Sequence, residues 1–213
     1  MTATAAPPSS RSATDRSDFR TVLVGGTKVG ALTAAAVLLC ALVLQVVPPM
    51  GALRQGILAL IVLATAVAAS LLPGRWVRAQ STEGVAGAAA MGLWGTVVFM
   101  ACDIVILRPL NHIVTIYPLT WDAVGGRSTW WYLPIWWMLG TFVAWMGGIV
   151  TAGQAFPGEQ PVVKTALPFL VGAVVLASLA RLAGLGVSIP VAAGGGYTVT
   201  LTAFALRALT RKS

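Results

Sequence analysis

The sequence has few of the side chains that do chemistry in water. Only 9% of its 213 residues are charged, and six of those are acidic; it has one histidine and two cysteines. Soluble domains carry about 25% charged residues, so this composition excludes an ordinary soluble domain. Cys40 and Cys102 both fall in apolar runs without a CxxC partner. They indicate neither a zinc site nor a redox pair.

The sequence also lacks the short motifs that identify common enzymes and nucleotide-binding proteins. It has no HExxH and no GxSxG segment. The segment GGTKVG at 25–30 lacks the GxxxxGK[ST] spacing of a phosphate-binding loop and follows no strand. The sequence therefore predicts no catalytic residue and no metal site, and it leaves the identity of any cofactor open. The absence of these motifs favours a protein that is not an enzyme.

The chain is rich in long apolar runs instead. Hydrophobic residues make up 57% of it, and its mean hydropathy is +0.85. A run of about 20 apolar residues is long enough to cross a bilayer, and lipid forces such a run to be helical. Runs of this kind cover about 27–47, 54–73, 84–107, 130–153, 162–184 and 188–208. We predict an all-α polytopic transmembrane helix bundle of about six spans.

Two of these runs are less regular than the others. The fifth contains Pro168, and the sixth contains Pro190 and the glycines Gly194–Gly196. Because proline and glycine disturb helices, we expect interruptions here, of the kind that transporters use at binding sites. Residues 21–213 are predicted to form one transmembrane domain with an extracytoplasmic loop at 108–129. Residues 1–20 are rich in Ser, Thr, Pro and charge and predict a disordered cytoplasmic tail.

The positive charge fits a membrane better than nucleic acid. The net charge is +8, but the basic residues flank the apolar runs, as juxtamembrane anchors do. With the N-terminus inside, only four of the 14 basic residues lie outside, namely Arg54, Arg108, Arg127 and Arg181. The positive-inside rule then places both termini in the cytoplasm. The Ala-, Gly- and Arg-rich composition suggests a bacterial plasma membrane, and no nucleic-acid partner is expected.

Small residues recur at a spacing of four in the third and fourth runs. Such a stripe lets two helix backbones approach closely. We expect these two helices to pack together, or one of them to face a partner subunit, although chance also produces such spacings in an Ala- and Gly-rich chain. The predicted packing residues are Gly84, Ala88 and Gly92 in the third run, and Gly140, Ala144 and Gly148 in the fourth.

Asp103 is the main candidate for a functional side chain. It lies inside the third run, about one turn from its outer end, and a buried ionisable group in a membrane usually has a partner and often marks function. An ion pair with Arg108 or Arg181 would fix the helix and its loop. A close pair of Asp103 with His112 would instead form a site that binds and releases a proton near neutral pH. Asp122 in the same loop completes the set of ligand or ion-pair candidates.

The tryptophan-rich segment WWYLPIWWMLGTFVAW at 130–145 has two interpretations. Trp130, Trp131 and Tyr132 open the fourth run on its outer side, where amphipathic rings favour the headgroup region. The aromatic side chains of this segment surround the helix and do not lie on one face of it. This distribution favours anchoring at the membrane interface over stacking against a ligand. Trp136 and Trp137 lie deeper and are equally compatible with burial against a neighbouring helix.

Three functions are compatible with the sequence. The favoured one is a non-catalytic membrane subunit in a larger complex, associated with other membrane subunits or with further copies of itself. The second is a small transporter or channel with a site near Asp103 and the 108–129 loop. The third is a membrane enzyme or metal-dependent subunit that uses Asp103, His112 and Asp122. The expected partners are the lipid bilayer and neighbouring membrane proteins.

Overall fold

The chain folds into a bundle of long helices. The computed structural model describes residues 15–48, 52–107, 109, 132–153 and 161–211, with the backbone alone for 132–137. The described helices are α1 (Phe19–Val46), α2 (Ala52–Trp76), α3 (Thr82–Cys102) with a π-helical turn (Asp103–Leu107), α4 (Tyr132–Ala152), α5 (Val162–Leu182) and α6 (Ile189–Thr210). The prediction of an all-α membrane bundle is confirmed.

Five of the described helices are long and apolar enough to cross a membrane. They are α1, α2, α3 with its π-helical turn, α5 and α6. The apolar part of α4 that carries described side chains, Met138–Ala152, is shorter. This set agrees with the prediction of about six spans.

Two helices extend beyond the spans predicted for them. Helix α1 begins at Phe19, because the Asp18 carboxylate caps it by accepting hydrogen bonds from the Thr21 N–H (3.1 Å) and hydroxyl (2.6 Å). Helix α2 continues past Pro73 to Trp76. Proline removes only its own N–H from the helix, and the Pro73 carbonyl still accepts from Val77 N at 3.1 Å.

The prolines and glycines of α5 and α6 do not interrupt these helices. Pro168 lies inside a continuous α5, and Pro190 occupies the first turn of α6, where a missing N–H costs nothing. Gly196 instead permits a close helix contact. A Cβ placed there would lie 3.0 Å from the carbonyl oxygen of Ala173. The prediction that these two helices are interrupted at Pro168, Pro190 and Gly194–Gly196 is therefore wrong.

Contacts between helix ends show that α2 and α5 run in opposite directions, whereas α4 and α6 run in the same direction. Arg75 in the last turn of α2 donates to the Thr165 hydroxyl in the first turn of α5 at 3.0 Å. A Cβ at Gly153, just beyond α4, would lie 3.3 Å from Cβ of Ala208 near the end of α6. We call this end, which holds the start of α1 and the end of α6, the terminal end, and the opposite one the distal end. The charge pattern predicts that the terminal end is cytoplasmic.

Helix α3 is packed tightly between α1 and α4. On one side, a Cβ at Gly26 would lie 2.7 Å from the carbonyl oxygen of Met91. On the other side, a Cβ at Gly148 would lie 2.9 Å from Cβ of Ala88, and Gly92 faces Ala144. Distances this short leave no room for a larger side chain, so the small residues set the spacing of all three helices.

The structure brings most of the predicted stripe residues into this contact. Gly140 faces the Thr96 hydroxyl of α3, so five of the six predicted packing residues meet across the α3–α4 contact. Gly84 differs. A Cβ there would lie 2.7 Å from Cα of Ala79 and from the Asp15 carboxyl carbon, so this glycine packs against the α2–α3 turn and the N-terminal segment.

The second half of the core joins α2, α4, α5 and α6 around one polar pair. The hydroxyls of Ser70 and Tyr197 lie 2.8 Å apart, and both residues are fully buried. The ring of Phe169 packs edge-on against Tyr197 with centroids 6.0 Å apart. The two hydroxyls thus form a hydrogen bond with each other inside an apolar cluster. The other buried members of that cluster are Leu71, Met146, Ile149, Ala166, Ala173, Leu201 and Ala205.

Replacing Gly92 by leucine should destabilise the bundle by about 1–3 kcal/mol or more, because the new side chain has to displace Ala144 and the α4 backbone. Equilibrium unfolding in mixed detergent micelles measures this change. Ala90 on the same helix is exposed to the surroundings, so Ala90→Leu is the matched control and should change the stability little. Equal losses in both variants would contradict the packing described above.

Candidate functional site

Asp103 lies at the distal end, where α3 changes from α-helical to π-helical. It is only 6% exposed and opens the π-helical turn. It shares a helix face with Phe99 and Leu107, which are buried against Ala34 of α1. Single π-helical turns inside α-helices are rare and frequent at functional sites. A buried carboxylate at such a turn is therefore the strongest candidate for function among the described residues.

The loop residues that the sequence groups with Asp103 are not part of the described structure. Arg108, His112, Asp122, Trp130 and Trp131 lie outside the described residues. Tyr132 begins α4, but its side chain is not described. The grouping of these side chains with Asp103 and the interfacial role of the aromatic residues therefore stay predictions.

Arg181 lies in a different part of the distal end. It is exposed in the last turn of α5 and lines a cleft of about 430 Å³ together with Gln55 of α2 and the α5–α6 connection. Both Arg181 and Asp103 are described, and no ion pair joins them. The structure thus separates two candidates that the sequence allowed to be partners.

At the terminal end, Asp15 holds the N-terminal segment against the start of α3. Its carboxylate accepts from the backbone N–H groups of Gln80 (3.0 Å), Ser81 (3.2 Å) and Gly84 (3.1 Å), and from the Ser81 hydroxyl. Next to it, Arg16 N donates to the carbonyl of Val77 at 2.8 Å. The carboxylate satisfies N–H groups that have no partner within the helix and complements the positive end of its dipole.

This contact could not be anticipated from the sequence. The residues it joins lie 65 to 69 positions apart, and Asp15 belongs to the segment predicted as a disordered tail. Residues 1–14 of that tail lie outside the described residues. Ser81 is a recognisable helix cap, but nothing near it in the chain indicates that a second cap arrives from Asp15.

Two basic side chains of the terminal end also connect helices. The Lys28 ammonium of α1 lies 5.7 Å from the ring centroid of Trp76 at the end of α2, within the range of a cation–π interaction. Arg75 reaches Thr165, as described above. These contacts bind cations to neutral groups of neighbouring helices.

The described residues do not assemble a cluster of metal ligands. No three His, Cys, Asp or Glu side chains among them converge at a distance suited to a metal ion. Cys40 and Cys102 are free and half-buried. What the described bundle offers chemically is a buried carboxylate at a π-helical turn and an arginine in an open cleft.

No family model, no curated protein and no solved structure matches the chain. Its assignment as a membrane-spanning helical bundle therefore depends on composition, hydropathy and the structure itself.

Replacing Asp15 by alanine should release the N-terminal segment and expose the first N–H groups of α3. Loss of such a cap costs about 0.5–2 kcal/mol. Hydrogen exchange should accelerate at the amides of Gln80, Ser81 and Gly84, which measures the effect at the site. Asp18→Ala is the control, because it removes the cap of α1 and should leave those three amides protected. Unchanged exchange in the Asp15 variant would contradict the contact.

The cap of α1 should weaken at acidic pH. The hydrogen bonds from the Thr21 hydroxyl and N–H hold the pKa of Asp18 below its ordinary value. A lowered pKa means that the cap stabilises the helix above the ordinary carboxyl pKa and is lost as the pH falls through the lowered one. The Thr21 amide resonance should titrate with an apparent pKa below that of an unstructured aspartate. An ordinary or raised value would refute the cap.

Proposed function

We propose that the chain is a non-catalytic membrane subunit that assembles with other transmembrane proteins or with further copies of itself. The observation that carries this proposal is the filled interior of the bundle. Apolar side chains of α2, α4, α5 and α6 close the space around Ser70 and Tyr197, and the two hydroxyls bind each other. Transporters typically build a site near the centre of the bundle from polar groups and broken helices, whereas α5 and α6 are continuous.

The use of the charged residues also supports a structural role. Asp15 and Asp18 cap helices, while Lys28 and Arg75 connect them. General acid–base catalysis needs a titratable group positioned against a second reacting group. These four side chains of the terminal end bind neighbouring segments of the bundle instead.

Purification of the tagged chain from its own membranes in a mild detergent tests the proposal. We expect a second membrane protein, or a further copy of the chain, in fixed stoichiometry through size-exclusion chromatography and native mass spectrometry. For a hetero-complex, a reciprocal pull-down from the partner should recover this chain, and an unrelated tagged multi-span protein should recover neither. A chain that purifies alone as a homogeneous monomer would contradict the proposal.

A second candidate function is a small transporter or channel, favoured by one observation. Asp103 is buried within a membrane span at a π-helical turn, and such carboxylates often mark ion or substrate pathways. In proteoliposomes, this function requires a cation flux that Asp103→Asn abolishes. The matched variant Glu83→Gln, at the exposed start of α3, should retain it. The favoured proposal expects no flux through the chain alone.

A further inference from the structure

The cleft at the distal end is bounded by three helices and one connection. It has a volume of about 430 Å³ and lies where the start of α2, the end of α5 and the start of α6 meet. Its lining residues are Gln55, Arg181, Gly184, Leu185, Gly186, Val187, Ser188 and Ile189. Arg181 is the one charged side chain among the described lining residues, so this part of the cleft is positively charged.

Arg181 brings a set of free hydrogen-bond donors to the cleft. Its side chain is exposed, and it forms no ion pair or hydrogen bond with the described residues. Guanidinium remains charged at any physiological pH and presents donors in a fork that matches the oxygens of a carboxylate or phosphate. It is therefore available to an anion that enters the cleft.

Gln55 adds a buried polar atom that lacks a partner. Its side-chain oxygen Oε1 is buried and accepts no hydrogen bond from the described residues. A buried polar group without a partner costs free energy, and native structures rarely keep one without a reason. A ligand that carries a hydrogen-bond donor beside its anionic group would satisfy this atom and the guanidinium together.

The start of α6 favours the same kind of ligand. Ser188 is the capping residue, but its hydroxyl makes no capping hydrogen bond. The first turn of the helix thus has N–H groups that no side chain caps, and the positive end of the helix dipole points toward the cleft. Each of these features is weak alone. Arg181 and the helix start favour an anion, and Gln55 favours a hydrogen-bond donor on the same ligand, because all three line one space.

We propose that this cleft binds the phosphate of an anionic phospholipid headgroup. Arg181 donates to the phosphate oxygens, and Gln55 Oε1 accepts from a hydroxyl of the headgroup. The apolar neighbours favour a lipid over a soluble phosphate, because Leu182 is 85% exposed and Leu185 is 57% exposed directly beside the cleft. These side chains offer an apolar surface for the acyl chains. Phosphatidylglycerol has both the charge and the hydroxyl groups that this arrangement requires.

The test uses the purified full-length chain in detergent and measures phosphatidylglycerol binding by titration with native mass spectrometry. Removing a charged hydrogen-bond donor should weaken binding by about tenfold or more, since such bonds contribute the most to affinity. We expect that loss in Arg181→Gln. The matched control is Arg54→Gln, which removes the same charge from the same end of the bundle but lies outside the lining of the cleft. This variant should bind nearly as the native chain does.

The variant Gln55→Leu tests the role of Gln55 independently of that of Arg181. It should weaken phosphatidylglycerol binding and raise the thermal stability of the lipid-free chain, because it removes the buried oxygen without a partner. A gain in stability without any loss of lipid binding would overturn the role of Gln55.

Three results would overturn the proposal as a whole. Equal weakening in Arg181→Gln and Arg54→Gln would mean that only the general charge of this end attracts the lipid. Competition by inorganic phosphate at the concentration that saturates the lipid would assign the site to a soluble phosphate compound. Binding of phosphatidylcholine as tight as that of phosphatidylglycerol would remove the requirement for an anionic headgroup. None of these results depends on whether the chain has a partner subunit.

Discussion

The close approach of α3 to α1 and α4 is the constraint on which the rest of the bundle depends. Lipid supplies no hydrophobic force between helices, so association depends on packing and hydrogen bonds. Here the packing comes from glycine and alanine, as Gly26 against Met91 and Gly148 against Ala88 show. Because α3 is held on both sides, its π-helical turn and Asp103 have a fixed position at the distal end.

The two ends of the bundle are built differently. At the terminal end, charged side chains meet neutral partners across helices, as Lys28 does with Trp76 and Arg75 with Thr165. The same end also has a cleft of about 150 Å³, lined by Val150, Gly153, Phe204, Arg207, Ala208 and Arg211. At the distal end, Arg181 and Gln55 line an open cleft, and Asp103 lies buried at the end of α3.

The helices could be predicted from the sequence because length and hydropathy suffice in a bilayer, and the repeated small residues predicted which helices approach closely. Their exact ends could not, since the Asp18 cap and the continued hydrogen bonding at Pro73 are local details. The pairing of Ser70 with Tyr197, 127 residues apart, has no local signal at all. The burial of Asp103 could be predicted because Asp103 lies in an apolar run. The position of Arg181 and Gln55 in one cleft could not be predicted, because the two residues meet only when α2 and α5 are packed together.

The packing of α3 against α4 is tested most directly by cysteine cross-linking within the membrane. After Cys40 and Cys102 are replaced by serine, the pair Ala88→Cys and Gly148→Cys should form a disulfide rapidly, because the two Cβ positions are adjacent. The pair Ala90→Cys and Gly148→Cys, with Ala90 on the exposed face of α3, should stay reduced. Cross-linking of both pairs at the same rate, or of neither, would contradict the arrangement described here.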